Sequence, residues 1–291
     1  MSDTTSDTWQ SNWGRWGADD ERGLLNELTP EHVLRAAQLI KTGRVYPLGV
    51  TLSKDGAIST TRNPLWHHIG KTERAQPAMS SVDDVVVMHT HTGTHVDALC
   101  HIYYDGRLYN GFPSSEITRK EAPRNGVENV GSLVTRGVLL DIARHRGVEH
   151  LQMGEVIAPD ELDACARGQG VEIRPGDAVL IRTGWTIVFD RDRELFDAGS
   201  PGPGKAAGPW FRERGLVALG ADNVAVEVQP PEDGVQLTLH LDVIRGQGGY
   251  LIEFLDLEDL ARDRVYEFLF VVAPLRLLHG IGSPINPLAI A

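Results

Sequence analysis

Met88-His89-Thr90-His91-Thr92-Gly93-Thr94-His95-Val96-Asp97-Ala98-Leu99-Cys100-His101 carries four histidines and one aspartate within 13 residues. Gly93 and three threonines disfavour helix here, which excludes a helical zinc site of the H-E-x-x-H type. As extended chain, His91, His95 and Asp97 share one parity and project from one face. Two imidazoles and a carboxylate on one face make a mixed nitrogen and oxygen donor set suited to Zn, Mn or Fe. Gly93 allows a bulge or a close backbone approach between them. Thr90, Thr92 and Thr94 can hydrogen-bond the ligands from behind. An exposed polar strand would account for one histidine; it does not account for this run, because buried polar clusters otherwise lack partners.

Working outward, Val85-Val86-Val87-Met88 reads as a buried strand leading into the cluster. Residues 53–82, with Pro64, Trp66, His67, His68 and Pro77, have no period and read as a long loop. Thr29-Pro30-Glu31 opens a helix with a cap, a proline at the first position and an acid at the positive end of the dipole. Val33, Leu34, Ala37, Leu39 and Ile40 are its apolar residues and Gly43 stops it. Further strands are expected at Val45 to Leu52, Gly137 to Ile142, Asp177 to Arg182, Val224 to Val228 and Tyr266 to Val272. Short helices are expected at Pro159 to Ala166 and from Pro209. There is no regular βαβ alternation and no internal repeat, so the expectation is a single mixed α/β domain. Residues 1–22 are polar apart from Trp9, Trp13 and Trp16 and read as an N-terminal docking arm. Residues 23–291 form the domain.

Composition narrows the function. The chain has 291 residues, with 40 acidic against 28 basic and a net charge of −12. At this length roughly 75% of the unfolded surface can be buried, enough for a full core. An acidic protein is not expected to hold nucleic acid through phosphates. Two cysteines, Cys100 and Cys165, are too few for a disulfide framework. No secretory signal and no long apolar run stand in the sequence, so the expectation is a cytoplasmic protein without a membrane span. The glycines at 202–204 and 246–249 lack the spacing of a dinucleotide fingerprint. No G-x-S-x-G elbow supports a serine hydrolase.

Residues 91–101, HTGTHVDALCH, closely resemble the H-x-G-T-H-x-D-x-x-x-H signature of the cyclase family of metal-dependent hydrolases, which includes arylformamidase, isatin hydrolase and a trans-dienelactone hydrolase. The likeness extends to the opening stretch from Asn12 to Gly49, to PGDAVLIRTGW from Pro175 and to GSPINPLAI from Gly282. Formamidases carry proline where this chain has Leu99, and HIYYDGRLYNG from His101 looks more like the longer members. The resemblance implies a swivelling β/β/α fold and a homodimer or homotetramer. It implies that His91, His95 and Asp97 bind a divalent metal, and that His101 moves a proton or joins a second ion. It maps the late functional residues onto His240 and Glu253. The family's usual E-G-L reads Glu253-Phe254-Leu255 here.

These readings lead to a hydrolase that opens or cleaves an amide, cyclic amide, imide or lactone bond of a small, cyclic or aromatic substrate. The implied cofactor is Mn2+ or Zn2+, as one or two ions, with Glu253 tilting the donor set towards Mn. His101 and His240 are the catalytic candidates. Pockets are mostly apolar, so Trp66, Trp185 and Tyr104 are expected to bind substrate, with Phe189, Trp210 and Tyr109 as further candidates. Two other readings compete. A non-haem Fe(II) oxygenase would use His95, Asp97 and His240 as its triad and leave His91 and His101 unexplained. A catalytically silent metal-binding protein would leave His101 without a task.

Overall fold

The structure, a computed structural model, describes residues 10–56, 62–72 and 81–291. Its centre is four parallel strands, β5 (Leu133–Asp141), β7 (Ala178–Arg182), β9 (Ala218–Ala221) and β10 (Tyr250–Glu253). Every residue of β7 and β9 is buried. Strands covered on both faces need apolar side chains at both parities, hence the unbroken AVLI of β7.

Antiparallel strands extend this centre at both edges. β4 (His95–Asp97) pairs with β10, and β12 (Gly282–Pro284) pairs with β4. On the other side lie β11 (Glu267–Val272), β13 (Leu288–Ile290) and β1 (Val45–Pro47), which completes a nine-stranded sheet. A short parallel pair, β6 (Val156–Ile157) and β8 (Gly202–Pro203), stands apart. So does a two-stranded ribbon, β2 (Trp66–Thr72) with β3 (Ser81–Val87). The result is the mixed α/β domain that the sequence predicts.

Several elements differ from expectation. Val85 to Met88 does not form a buried strand: β3 begins at Ser81 and is exposed throughout. Among the described residues it pairs only with β2, so Val85 and Val87 face water on one side of the ribbon and Val82 and Val86 on the other. The stretch 53–82 is not simply a loop, since it contains β2. Its residues 57–61 and 73–80, Pro77 included, lie outside the described residues. Val45 to Leu52 keeps strand form only through Pro47. Val224 to Val228 is not a strand, because Ala225 and Val226 both have positive φ. The helix Pro30–Ala37 buries only Ala36 and leaves Leu34 65% exposed. It starts where expected, with the Thr29 amide donating to His32 Nδ1 at 3.2 Å.

Residues 10–22 pack on their own chain. Asn12 Nδ2 donates to the Gln247 carbonyl and Trp13 Nε1 to the Arg245 carbonyl, each at 2.7 Å. The Asp20 carboxylate accepts from the Tyr109 hydroxyl, and Glu21 accepts from the Asn125 amide. Trp9 lies outside the described residues. Among the described residues no helix is long and apolar enough to cross a membrane.

Charge is buried where the sheet needs cross-bracing. Arg136 on β5 donates to both oxygens of Asp177 at 2.9 and 2.6 Å and to Glu267 on β11 at 2.6 Å. Burial raises the pKa of Asp177 despite the guanidinium beside it. Removing one partner of a buried pair strands the other charge. Arg136→Met is therefore expected to cost about 3–5 kcal/mol in urea denaturation at pH 7. The loss should shrink as the pH falls and Asp177 takes up a proton.

Candidate metal centre

The register of β4 builds the site. His95 lies opposite Glu253 on β10, and Asp97 lies opposite Gly282 on β12. Two residues apart on one strand, His95 and Asp97 share a face. His91 reaches that face differently from the extended reading, because the strand begins only at His95. Gly93 has φ +62°, and a Cβ there would stand 2.6 Å from Leu52 Cδ2, so the chain turns at a position open to glycine. Gly282 leaves room for His91, since its Cβ would lie 2.6 Å from His91 Nε2.

Six side chains meet at this point. Asp97 Oδ1 is 3.3 Å from His91 Nε2, 3.6 Å from His95 Nε2 and 4.0 Å from His101 Nε2. Asp97 Oδ2 is 3.6 Å from His240 Nε2. Glu253 stands 3.3 Å from both His95 Nε2 and His240 Nε2. Two donor groups share Asp97: His91, Asp97 and His101, and Asp97, His240 and Glu253. All are buried except His101, whose side chain is 24% exposed and marks the open side.

The donor atoms suit a divalent cation. His91 Nε2, His95 Nε2 and both oxygens of Asp97 are buried with no hydrogen-bond partner among the described residues. Such atoms are costly unless an ion or proton satisfies them. The backs of the rings are held instead. His95 Nδ1 is 2.8 Å from the Gly93 carbonyl, so this nitrogen carries the proton and Nε2 faces the carboxylates. His91 Nδ1 is 3.2 Å from Thr90 Oγ1.

The field inside the cluster calls for positive charge. Burial opposes ionisation of Asp97, yet the surrounding imidazoles, His101 foremost, hold its carboxyl far below the usual range. Glu253 is held well down by His95 and His240 in the same way. Burial disfavours a proton on His240, but Glu227, Glu253 and Asp97 outweigh it and push the ring up to about 10. His95 is raised, with Glu253 outweighing burial. His101 moves the other way, down to about 4, because burial and the neighbouring rings of His91 and His240 outweigh Asp97.

Sequence reading missed Glu227, whose carboxylate lies 2.6 Å from His240 Nδ1. Its signal is a lone carboxylate inside the apolar run Val224-Ala225-Val226-Glu227-Val228, whose composition suggests a strand.

The aromatic candidates do not join the cluster. Trp66 is 53% exposed on the ribbon, its ring stacked on His68. Tyr104 is exposed near the Arg245 guanidinium. Trp185 is fully buried in a separate aromatic core with Phe196 and Phe254, and half-buried Phe189 packs against it. Trp210 sits in the main core and donates to Asp163, and Tyr109 is buried there too. His67 pairs with Asp84 on the ribbon at 2.7 Å. Cys100 is buried and its thiol pushed up to about 12, which removes it as a nucleophile.

Phe254 connects that aromatic core to the site, its ring 6.1 Å from His95. It has φ +55° where glycine is the usual solution. The Asn223 carbonyl accepts from its amide, and its carbonyl accepts from Thr94 Oγ1, which fixes the backbone from both sides. Left-handed backbone costs an ordinary residue roughly 1–2 kcal/mol, whereas emptying a buried phenylalanine site costs about 3–5. Phe254→Gly is thus expected to destabilise by a net of about 1–4 kcal/mol in chemical denaturation, despite relieving the backbone.

The comparisons agree with this architecture. A crystal structure described as a novel cyclase is 34% identical, with a TM-score of 0.90 over 97% of this chain and 100% of that one. Isatin hydrolase A from Labrenzia aggregata, bound to benzyl benzoate, is 22% identical at a TM-score of 0.60, covering 87% of this chain and 94% of that one. Isatin hydrolase A from Ralstonia solanacearum is 23% identical at 0.57, covering 84% and 91%. No curated protein matches the chain in sequence. The model of the family described as putative cyclase matches residues 27–228, and the chain belongs to that family.

Proposed function

We propose that this protein is a metal-dependent hydrolase that opens or cleaves a C–N or C–O acyl bond of a small cyclic or aromatic substrate. The observation that carries the reading is the set of buried donor atoms on His91, His95 and Asp97, without hydrogen-bond partners among the described residues, beside the partly open His101. His91, His95, Asp97 and Glu253 would hold the cation, with Mn2+ or Zn2+ fitting the mixed donors. A divalent cation there polarises a carbonyl and lowers the pKa of water.

The chain's own groups supply the rest. His101 is neutral at pH 7 and faces the open side, so its imidazole can take a proton from water and return it to the leaving nitrogen or oxygen. His240 lies deeper, its Nε2 turned to Asp97 and Glu253, and orients the carboxylates. Isatin hydrolases share the fold, which supports a cyclic amide as one substrate class. An oxygenase triad of His95, Asp97 and His240 leaves His91, His101 and Glu253 without a role in the same cluster.

Metal content and hydrolysis of N-formylkynurenine, isatin, a cyclic imide and a dienelactone test the reading, on wild type and on His95→Ala. The expected result is metal-dependent turnover of one panel member, with metal and activity both lost in His95→Ala. No divalent metal bound under any condition would sink it. Because His240 holds a proton up to about pH 10 in the metal-free protein, metal binding at pH 8 is expected to release protons. Calorimetry in two buffers of different ionisation enthalpy measures that release.

A further inference from the structure

We propose that Glu227 is a positioning residue that fixes both the ring orientation and the tautomer of His240. Its carboxylate is buried and meets four donors. Oε1 accepts from the His240 amide at 3.2 Å and lies 2.6 Å from the ring Nδ1. Oε2 accepts from the Leu239 amide at 3.1 Å and faces the Thr238 hydroxyl at 3.5 Å. With Nδ1 pinned to Glu227, Nε2 faces Asp97 and Glu253, so the ring, whenever it is neutral, is held as the Nδ1–H tautomer. A histidine whose back nitrogen donates to a carboxylate keeps one tautomer and is more basic at the other nitrogen.

The backbone around Glu227 points to the same role. The two residues before it, Ala225 and Val226, have φ of 76° and 57°, and Leu237, just ahead of the turn carrying His240, has φ 58°. None is glycine, and a β-branched residue in this region is rare. The arrangement survives because its surroundings over-determine it. The Asn223 side chain donates to the carbonyls of Pro201 and Val226, which clamps the loop, and Val226 is fully buried. The strained loop delivers one carboxylate beneath one imidazole.

A glutamine cannot replace that carboxylate. All four groups facing Glu227 are donors, whereas an amide offers one acceptor atom and one donor atom. Glu227→Gln must turn its NH2 either at His240 Nδ1 or at the Leu239 amide.

This inference rests on the metal reading of the site only for its affinity measurement; the ring measurement needs no metal. Ring 15N NMR of the metal-free protein is run on wild type, Glu227→Gln and the control Thr238→Ala, followed by Mn2+ and Zn2+ titration calorimetry. In wild type a deshielded, exchange-protected proton on His240 Nδ1 is expected, and its absence there overturns the proposal even if Glu227→Gln fails to fold. In Glu227→Gln that proton should be lost or shifted upfield, since at best a neutral amide oxygen replaces the carboxylate, and metal affinity should fall 10–100-fold, while the His95 ring signals and the circular dichroism stay unchanged. Thr238→Ala should keep both the proton and the affinity. An unchanged His240 signal in Glu227→Gln overturns the proposal whatever the affinity does. A wild type that binds no metal but shows the proton, lost or shifted upfield in Glu227→Gln, upholds this inference and overturns the hydrolase reading.

Discussion

A carboxylate sealed in protein with neither oxygen hydrogen-bonded among the described residues is the constraint on which this structure turns. Asp97 is wholly buried. Desolvating such a group costs several kcal/mol unless charge of the opposite sign stands close by. Three separate parts of the chain answer that demand: the turn carrying His91, the strand and turn carrying His95 and His101, and the distant His240. Glu253 adds a second negative charge and so deepens the need for a cation. Packing alone would never assemble two carboxylates and four imidazoles here. The parallel core of β5, β7, β9 and β10 makes it possible, because a rigid, fully covered sheet can hold β4 in one register against β10.

Backbone strain is distributed in the same place. Ala225, Val226, Leu237 and Phe254 all take left-handed conformations near His240 and Glu253. Each departs from what its side chain prefers, and each is held by neighbours: Val226 and Phe254 by complete burial, the loop before Glu227 by the Asn223 amide, and Leu237 by its carbonyl accepting from the Leu241 amide. The rest of the sheet supplies the surplus stability that lets these positions persist. Local preference and tertiary demand disagree most where the chemistry is concentrated.

Much of this was legible in the sequence, and the reasons differ by element. AVLI of β7 and the apolar run ending β5 announce buried strands through composition alone. The proximity of His91, His95 and Asp97 was legible too, although the mechanism differed: a left-handed turn at Gly93 does what a continuous strand was expected to do. The approach of His240 and Glu253 came only through the family resemblance, since nothing in their spacing brings them to β4. Other readings went astray for physical reasons. The valines of β3 look like core residues because a run of valine encodes extended chain, not what covers it. Val224 to Val228 has strand composition but turns twice where no local signal marks a turn. Glu227 was hidden by that same misreading.

Gly282 leads to a consequence of a different kind. Its missing Cβ is the space that His91 Nε2 occupies. A methyl group at this position would enter the volume that the imidazole occupies and crowd the Val96 carbonyl, so the His91 ring would have to turn out of its place. Positions 91 and 282 are therefore one unit for inheritance, though they lie far apart in the chain. A lineage that gains a side chain at 282 must move the imidazole of His91 out of the cluster or give it up. Across the family, a side chain at 282 and a histidine placed as His91 is here should not occur together.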